Sequence, residues 1–474
     1  MMFLAACQSD VLPGENSGGA QQMMSRSDSS YINLRIVNSN ATMTRAAETA
    51  TAAENAVYDG ILCIFEGDNE SSAELKTAVV IDQLVKTDPL VINLDNSTSI
   101  DITQRLAIGT HPYNSDKHLY VLALLNTTST GFKVSGNDLL FDGVPQKERH
   151  CTISDIQSQV IHSVGSTKEH VGLFMSNAPQ DGYIMPEVTS NYLFDTPSAA
   201  NSGGKLIINV ERAAARVRAT SDLSSGDNIS NISLYDGDND GDNNPKAKFH
   251  KMTWTVNKYN TQSYAIRKGS TAANNWAEDF NYTSFPEKTY TALDFNLYPQ
   301  KSYSGDNIYI GENTTDNESA TDANLTEVIV EVQVKDNNNM LMHECFKFEF
   351  VGELITSSAQ YFKHLKGGWY NQRNGYNTLK NKEPEEVFKY ATIVIKDDGT
   401  VDITLTNDSF SDVEKADLKI LEEKLEGWTR GYRDGKMYYT YKIKHDTKFG
   451  VVRNNAYNLK FQNLSISGIG RPTP

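Results

Sequence analysis

The residue types that bind metals or act as nucleophiles are scattered along the chain. Two groups, His150-Cys151 and His343-Glu344-Cys345, place possible ligands side by side, but adjacent residues of a strand point to opposite faces. The sequence contains no zinc-protease, serine-hydrolase, P-loop or dinucleotide-binding motif. Wide spacing without a CxxC pair argues against a zinc site or a disulfide framework for the four cysteines, Cys7, Cys63, Cys151 and Cys345. We therefore expect neither enzymatic activity nor a cofactor.

One acidic loop has the spacing of a metal site. Asp236, Asp238 and Asp240 stand at alternate positions before Gly241, as in the first half of a calcium-binding loop. The position at which such a loop supplies a bidentate glutamate is Ala247, and the flanking sequence is not helical. A solvated acidic turn is the favoured interpretation, and calcium binding is the weaker one.

Cys7 lies in a different context from the other cysteines. It follows Leu4-Ala5-Ala6 and precedes the polar run Gln8-Ser9-Asp10, which is the pattern of a lipobox. We expect a diacylglycerol on its thiol, so that residues 1–7 are a lipoprotein signal and the lipid is the anchor. No later stretch approaches the roughly 20 apolar residues that would span a bilayer. No charged n-region precedes the motif, so an upstream start codon stays open.

The charge of the chain limits its partners. Lys and Arg number 44 against 60 Asp and Glu, and the formal net charge is −16. Such a surface repels nucleic acid and anionic lipid, so we expect neither as a partner.

An isolated strand is predicted near the N-terminus. Ile32, Leu34 and Ile36 alternate with polar residues, the period of a half-buried strand, and loose Ser-, Asn- and Ala-rich segments lie on both sides. A single strand is not stable alone. It must therefore pair with a distant part of the chain.

From Val57 onward, strands follow one another at short spacing, as in β-sandwiches. Helical periodicity is confined to residues 154–164 and 412–425. The Asn-Ser-Gly-Gly run at 201–204 indicates a domain boundary. We expect a mainly β fold of two β-sandwich (transthyretin-like) domains, 46–203 and 204–474, with a few short helices.

The last strand of the chain has one apolar face. Tyr457, Leu459 and Phe461 alternate with polar residues, and further apolar residues follow after a shift of face at Asn463, namely Leu464, Ile466 and Ile469. Gly468 and Pro472 end the pairing potential of the tail.

The terminal block carries a family resemblance. Residues 449–472, with Val452-Arg453-Asn454 followed by Tyr457-Asn458-Leu459, strongly resemble the C-terminus of the Bacteroidota fimbrillins, subunits of type V pili, and most closely the minor (short-fimbria) branch. Further matches are the segment 210–217, the segment 434–439 and the lipobox at Cys7. Residues 220–389 match in strand character only.

The resemblance implies assembly by strand exchange, in which a neighbour's strand replaces a strand that a protease has removed. On this chain it implies a removable propeptide, 8–45, containing Ile32, Leu34 and Ile36, with cleavage between Arg45 and Ala46. An ordinary linker arginine is the alternative for Arg45. The donor would be the C-terminal strand, and its alternative is the last strand of its own domain.

We therefore expect a structural fimbrial subunit that supports adhesion, first lipidated at the outer membrane and then extracellular. Its partners would be further copies of itself, accessory fimbrial subunits and surface ligands of a host or bacterium. A tip or anchor subunit is one alternative. A lipid-anchored glycan-binding protein is another alternative, in which sugars would stack on tryptophans. The chain has four, and the other interpretation is that they belong to the core: Trp254, Trp276, Trp369 and Trp428.

Overall fold

The computed structural model describes residues 30–38, 50–84, 89–92, 99–108, 116–168, 170–180, 182–235, 244–268, 279, 301–302, 307–314, 325–461 and 464. The described chain is mainly β with several sheets, which confirms the expected fold class. Its helices are α1 (Ile153–Gln157), α2 (Pro197–Ser202), α3 (Ser358–Gln372), α4 (Pro384–Val387) and α5 (Asp412–Trp428). None of the helices in these ranges is long and apolar enough to cross a membrane.

The first half of the chain supplies fourteen strands. They are β1 (Ser30–Asn38), β2 (Ala56–Val57), β3 (Gly60–Gly67), β4 (Glu74–Val80), β5 (Leu90–Val91), β6 (Ile100–Leu106), β7 (His118–Leu125), β8 (Phe132–Ser135), β9 (Asp138–Phe141), β10 (Val144–Pro145), β11 (Val160–Ile161), β12 (Met175–Asn177), β13 (Leu193–Phe194) and β14 (Leu206–Arg212).

One large sheet contains eight of these strands, in the order β13-β1-β14-β12-β7-β3-β4 with β6 also paired to β1. Side chains alternate between its faces, so Ile61 and Cys63 of β3 enter one core while Leu62 and Ile64 enter another. Strands β1, β6 and β14 of the same sheet also contribute to the second core. The sheet therefore curls round that core, and β1 forms part of its wall.

The second half supplies the remaining strands. They are β15 (Ala215–Ser221), β16 (Asn228–Ser233), β17 (Lys246–Asn257), β18 (Ser263–Tyr264), β19 (Lys301–Ser302), β20 (Ile308–Ile310), β21 (Glu327–Lys335), β22 (Glu344–Phe348), β23 (Leu354–Ile355), β24 (Thr392–Ile395), β25 (Val401–Thr404), β26 (Thr429–Arg433), β27 (Lys436–Lys442), β28 (Lys444–His445), β29 (Lys448–Phe449) and β30 (Ala456–Phe461).

The second sandwich forms from two of the sheets in this half. The sheet β20-β15-β30 and the sheet β16-β17-β21-β27 share one core, to which Val217 of β15, Trp254 of β17 and Val330 of β21 contribute. Strand β27 pairs with β21 over seven residue pairs, and β17 pairs with β21 on the other side. The period-2 pattern of β17 and β21 thus places one face of each against the core.

An inserted lobe between β23 and β26 has a core of its own, formed by α3, α4, α5, β24 and β25. Helix α5 confirms the helix predicted over residues 412–425, and a capping box of Ser411 and Glu414 fixes its start. Helix α3 was not predicted. Its buried Tyr361, Leu365 and Trp369 are four residues apart, and this spacing is the signal that would have found it.

The strands on both sides of the predicted boundary at 203/204, β13 and β14, belong to the first sheet. Strand β14 follows the expected boundary at 203/204, yet it pairs with β1 and β12 of the first sheet. Sheet membership changes at Ala213 and Ala214, after which β15 belongs to the second sandwich. Strand β18 also returns to the first half, where it pairs with β11. The Asn-Ser-Gly-Gly run instead ends α2 and leads into β14.

Other predicted elements correspond closely to observed ones. Strands β14 and β20 are two of the strands expected to follow one another from Val57 onward. The helix expected over 154–164 is only α1, because residues 160–161 form β11 instead. A short apolar run cannot distinguish the two periods, and tertiary pairing with β18 decided this case.

Candidate functional site

Strand β1 lies inside the first sheet, with neighbours on both sides. One side pairs antiparallel with β6 from Ser30↔Leu106 to Ile36↔Ile100. The other side pairs parallel with β14 from Leu34↔Leu206 to Asn38↔Val210, and antiparallel with β13 at its start. Strand β1, which is remote in sequence from its neighbours, therefore fills a slot between β6 and β14.

The apolar face of β1 is completely enclosed. Ile32, Leu34 and Ile36 are each 0% exposed. The core around them comes from strands beside and opposite β1, including Leu62, Ile64, Ile100, Ile102, Leu106, Val121, Leu125, Leu206, Ile208 and Val210. The alternation read from the sequence thus corresponds to one buried face of a docked strand.

The polar face of β1 makes both buried and exposed contacts. The Asn33 amide donates to the carbonyl of Ala200 over 2.7 Å. The Arg35 guanidinium forms an exposed, bidentate pair with Asp101, 2.8 Å between Nε and Oδ1. Hydrogen bonding from Arg35, assisted by Lys205, lowers the pKa of Asp101 to about 2.

The C-terminal end of β1 leads towards the expected processing site. Asn38 is buried, and its amide lies 3.3 Å from the Asn55 side-chain oxygen. Arg45 and Ala46, between these two asparagines in sequence, lie outside the described residues, as does Cys7.

Strand β30 occupies a different kind of position. It pairs parallel with β15 from Arg216↔Ala456 to Ser221↔Phe461, and among the described residues β15 is its only neighbour. Tyr457 and Leu464 belong to the core of the second sandwich, while Leu459 and Phe461 pack partly against it. In the single chain these four residues therefore lie on their own domain, and Ile466 and Ile469 lie outside the described residues.

A buried ion pair fixes the chain just before β30. Arg453 and Glu312 have fully buried side chains with 2.8 Å between Nε and Oε2. The same guanidinium also donates to the Ser263 hydroxyl and the Tyr264 carbonyl, 2.8 and 2.7 Å away. Burial raises the pKa of Tyr457, whose hydroxyl accepts the backbone N–H of Val452. The start of β30 is thus anchored by contacts specific to this domain.

Two of the segments that carry the sequence resemblance meet at the junction between the halves. Asn454 accepts a hydrogen bond from Arg212 and donates its backbone N–H to the Ala214 carbonyl. Buried pairs, Arg267 with Glu211 and Arg216 with Glu54, lie in the same region. Sequence reasoning missed these acidic partners, because each arginine–glutamate pair joins residues far apart in sequence.

The described cysteines, which were further candidates for chemistry, belong to the packed interior. Cys63, Cys151 and Cys345 are free and buried, and burial raises the pKa of each thiol. The described ranges contain no cluster of three or more His, Cys, Asp or Glu that could hold a metal ion. The acidic loop with Asp236, Asp238 and Asp240 lies outside those ranges.

The tryptophans do not form a described sugar-binding face. Trp254 and Trp369 are 0% exposed and belong to the cores of the second sandwich and the inserted lobe, respectively. Trp428 packs partly against the lobe core, and Trp276 lies outside the described residues. Stacking of sugars on Trp254 or Trp369 is therefore wrong, because neither ring reaches the surface.

No family model matches the chain, and no curated protein matches it. Solved structures with detectable similarity include a fimbrilin of Porphyromonas gingivalis, with 10% identity and a TM-score of 0.38 over 94% of this chain and 93% of that one. A fimbrial assembly protein of Parabacteroides distasonis has 11% identity and a TM-score of 0.31, covering 65% of this chain and 87% of its own. A tip fimbrial protein of Porphyromonas gingivalis has 8% identity and a TM-score of 0.28, covering 65% and 78%. These low values establish neither family membership nor function.

Proposed function

We propose that the chain is a non-enzymatic structural subunit of a bacterial fimbrium, closest to the minor fimbrillin branch, which polymerises by protease-triggered strand exchange. The observation that carries the proposal is the position of β1. A strand remote in sequence lies between β6 and β14, with its apolar face fully buried. Its removal would open a slot of defined shape in the first domain.

The slot would bind a replacement strand strongly. Burying each of Ile32, Leu34 and Ile36 contributes about 1.5–3 kcal/mol, so roughly 5–9 kcal/mol depends on the three together. Emptying the slot would also leave the facing edges of β6 and β14 without backbone partners, which favours the addition of another strand. The precursor, with β1 docked, is thus protected against premature assembly.

The donor in this proposal is the segment 465–474, which follows the buried Leu464 and contains Ile466 and Ile469. Tyr457 and the preceding Arg453 pair remain on their own domain, because their buried partners cannot be reproduced in a neighbouring subunit. Beyond Phe461 the chain has 474 − 461 = 13 residues. Fully extended at about 3.3 Å per residue they reach about 40 Å, enough to enter an adjacent molecule.

Processing would separate β1 from the subunit. Cleavage between Arg45 and Ala46 leaves 474 − 45 = 429 residues and detaches the lipid proposed for Cys7. The precursor would thus sit at the outer membrane and the cleaved subunit in an extracellular filament. Arg35 would escape the protease because it lies within the docked β1.

Comparison of the Arg45→Ala precursor with the unchanged precursor tests the proposal. After limited proteolysis the unchanged chain should form filaments visible by electron microscopy, with Ala46 as the new N-terminus. Arg45→Ala should stay monomeric and uncut, while the matched control Arg35→Ala should still be cut and polymerise. Filaments whose subunits begin at Gln8 or Ser9 would contradict the proposal, because β1 would still be attached.

Truncation separates the donor from the domain core. Deleting residues 465–474 keeps Leu464, which is buried in the second sandwich, and removes the proposed exchange segment. The truncated protein should fold, be cleaved and remain monomeric. If it polymerised like the full chain, the donor would have to lie elsewhere. A tip or anchor subunit would differ by failing to extend filaments even with its tail intact.

A further inference from the structure

An open cleft lies beside β14, on the side opposite β1. Its volume is about 710 Å³, within the range of about 300–1,000 Å³ that is usual for small-molecule sites. Gln180 and residues 183–192 contribute to one wall, and the start of β14 forms the other. The cleft is separate from the slot of β1, because β14 stands between them.

The wall opposite β14 is rigidly built. Asn177 is buried, and its amide donates to the carbonyls of Val121 and Ile184, each over 3.0 Å. Gln180 and Tyr183 exchange two backbone hydrogen bonds of 2.7 and 2.8 Å across a tight turn. Gly182 within this turn has a φ of +91°, which a glycine adopts without strain. The turn therefore holds the side chains of Gln180 and Tyr183 at the mouth of the cleft.

Neutral polar side chains line the cleft without protein partners. The hydroxyls of Tyr120, Tyr183 and Tyr192 and the amides of Gln180 and Asn209 make no hydrogen bond to the protein in the described part of the chain. Tyr183 is 41% exposed, so its ring is accessible from solvent. Aromatic faces beside free amides suit a ligand that has both apolar and hydroxyl-bearing surfaces.

The charged side chains around the cleft have polar partners in the protein. Glu187 pairs with His118 over 2.7 Å, and Lys205 pairs with Asp101 over 2.5 Å. Glu70 accepts the backbone N–H groups of Ile184 and Met185, over 2.7 and 2.6 Å. The carboxylates of Glu70 and Glu187 keep a negative field at the cleft, which disfavours an anionic ligand and offers hydrogen-bond acceptors to the hydroxyl groups of a neutral one.

We propose that this cleft binds a short neutral oligosaccharide. Sugar rings lie against the exposed ring of Tyr183, and sugar hydroxyls hydrogen-bond to the amides of Gln180 and Asn209. An extended peptide fits less well. The Asn209 carbonyl already accepts the backbone N–H of Ala178, which leaves little of the β14 edge for strand addition.

Saturation-transfer NMR on the full chain tests this with lactose, maltose, cellobiose, mannobiose and diacetylchitobiose at millimolar concentration. At least one sugar should bind, and Tyr183→Ala or Gln180→Ala should weaken that binding about tenfold or more. The matched control is Tyr390→Ala, since Tyr390 is a similarly exposed tyrosine, 56% accessible, in the inserted lobe. Circular dichroism melts should be unchanged for these three variants, because the replaced side chains are not in a core.

Several results would contradict the proposal that the cleft binds an oligosaccharide. Binding of none of the five sugars, or equal binding by the wild type and Tyr183→Ala, would overturn the proposal. Preference for the charged sialyllactose, or for an unstructured peptide, would also overturn it. Strand exchange is tested separately, because Tyr183→Ala should still polymerise and the uncut Arg45→Ala should still bind the sugar.

Discussion

Strands β1 and β30 have related positions in the two halves of the molecule. Each pairs parallel with one of two consecutive strands, β14 and β15, which only Ala213 and Ala214 separate. Yet β1 has neighbours on both sides and a fully buried apolar face, whereas β30 has one described neighbour and a half-exposed face. The two strands are therefore held by different kinds of contact.

The difference concerns which contacts another strand could reproduce. Strand β1 depends mainly on backbone pairing and apolar side chains, which a strand with the right alternation supplies, and it adds the buried hydrogen bond from Asn33 to the Ala200 carbonyl. Its one ion pair, Arg35 with Asp101, is exposed. The start of β30 depends on the buried pair of Arg453 and Glu312, which requires one particular partner. In the strand-exchange proposal, β1 is therefore the strand that is replaced, and β30 is the strand that stays on its own domain.

The largest expected effect follows removal of β1. Protein cut after Arg45 and freed of its propeptide in denaturant should refold with roughly 5–9 kcal/mol less stability, a large share of the 5–15 kcal/mol typical of a domain. Urea unfolding measures the loss. A peptide of residues 30–38 added in trans should restore the midpoint, and the same peptide with Leu34→Asp should not. An unchanged midpoint after removal would show that β1 is not an integral part of the first domain.

The next effect sharpens the contrast at β30. Arg453→Leu leaves the Glu312 carboxylate buried without its partner, which should cost about 3–5 kcal/mol in urea unfolding. The double variant Arg453→Leu with Glu312→Leu should recover part of this loss, because no unpaired charge remains. If the single and double variants were equally destabilised, the loss would come from packing and not from the isolated charge.

A matched pair of leucines compares the apolar contacts directly. Leu34→Ala in β1 should cost about 2–5 kcal/mol, as for a fully buried leucine. Leu459→Ala in β30 should cost less, because Leu459 is only partly buried. Both are read from urea midpoints at constant m-value. A larger loss for Leu459→Ala would reverse the proposed roles of the two strands.

The smallest effect concerns the exposed pair at β1. The pKa of Asp101 is about 2 in the folded chain, against about 3.9 for an unperturbed aspartate. Its stabilising contribution is therefore present above about pH 4 and is lost as the pH falls through about 2. Asp101→Asn should lower the urea midpoint slightly at neutral pH, much less than Leu34→Ala, and the difference should vanish towards pH 2. High salt should reduce it as well. A difference that grew on acidification would contradict this origin.

Local sequence determined the elements with a clear period. Alternating Ile32, Leu34 and Ile36 specified a strand with one apolar face, and the apolar spacing of 412–425 specified α5, because side-chain direction repeats every two residues in a strand and about every 3.6 in a helix. The flanking loose segments also indicated that the first strand needs a distant partner.

Only the tertiary structure decided which distant residues meet. The placement of β1 between β6 and β14, the change of sheet at Ala213 and the pairing of Arg453 with Glu312 all join segments far apart in the chain. So does the cleft that brings Tyr120 and Tyr183 together beside Asn209. Periodicity determines which face of a strand or helix a residue occupies. The partner of that residue depends on how whole sheets curl and pack, which is a property of the assembled core.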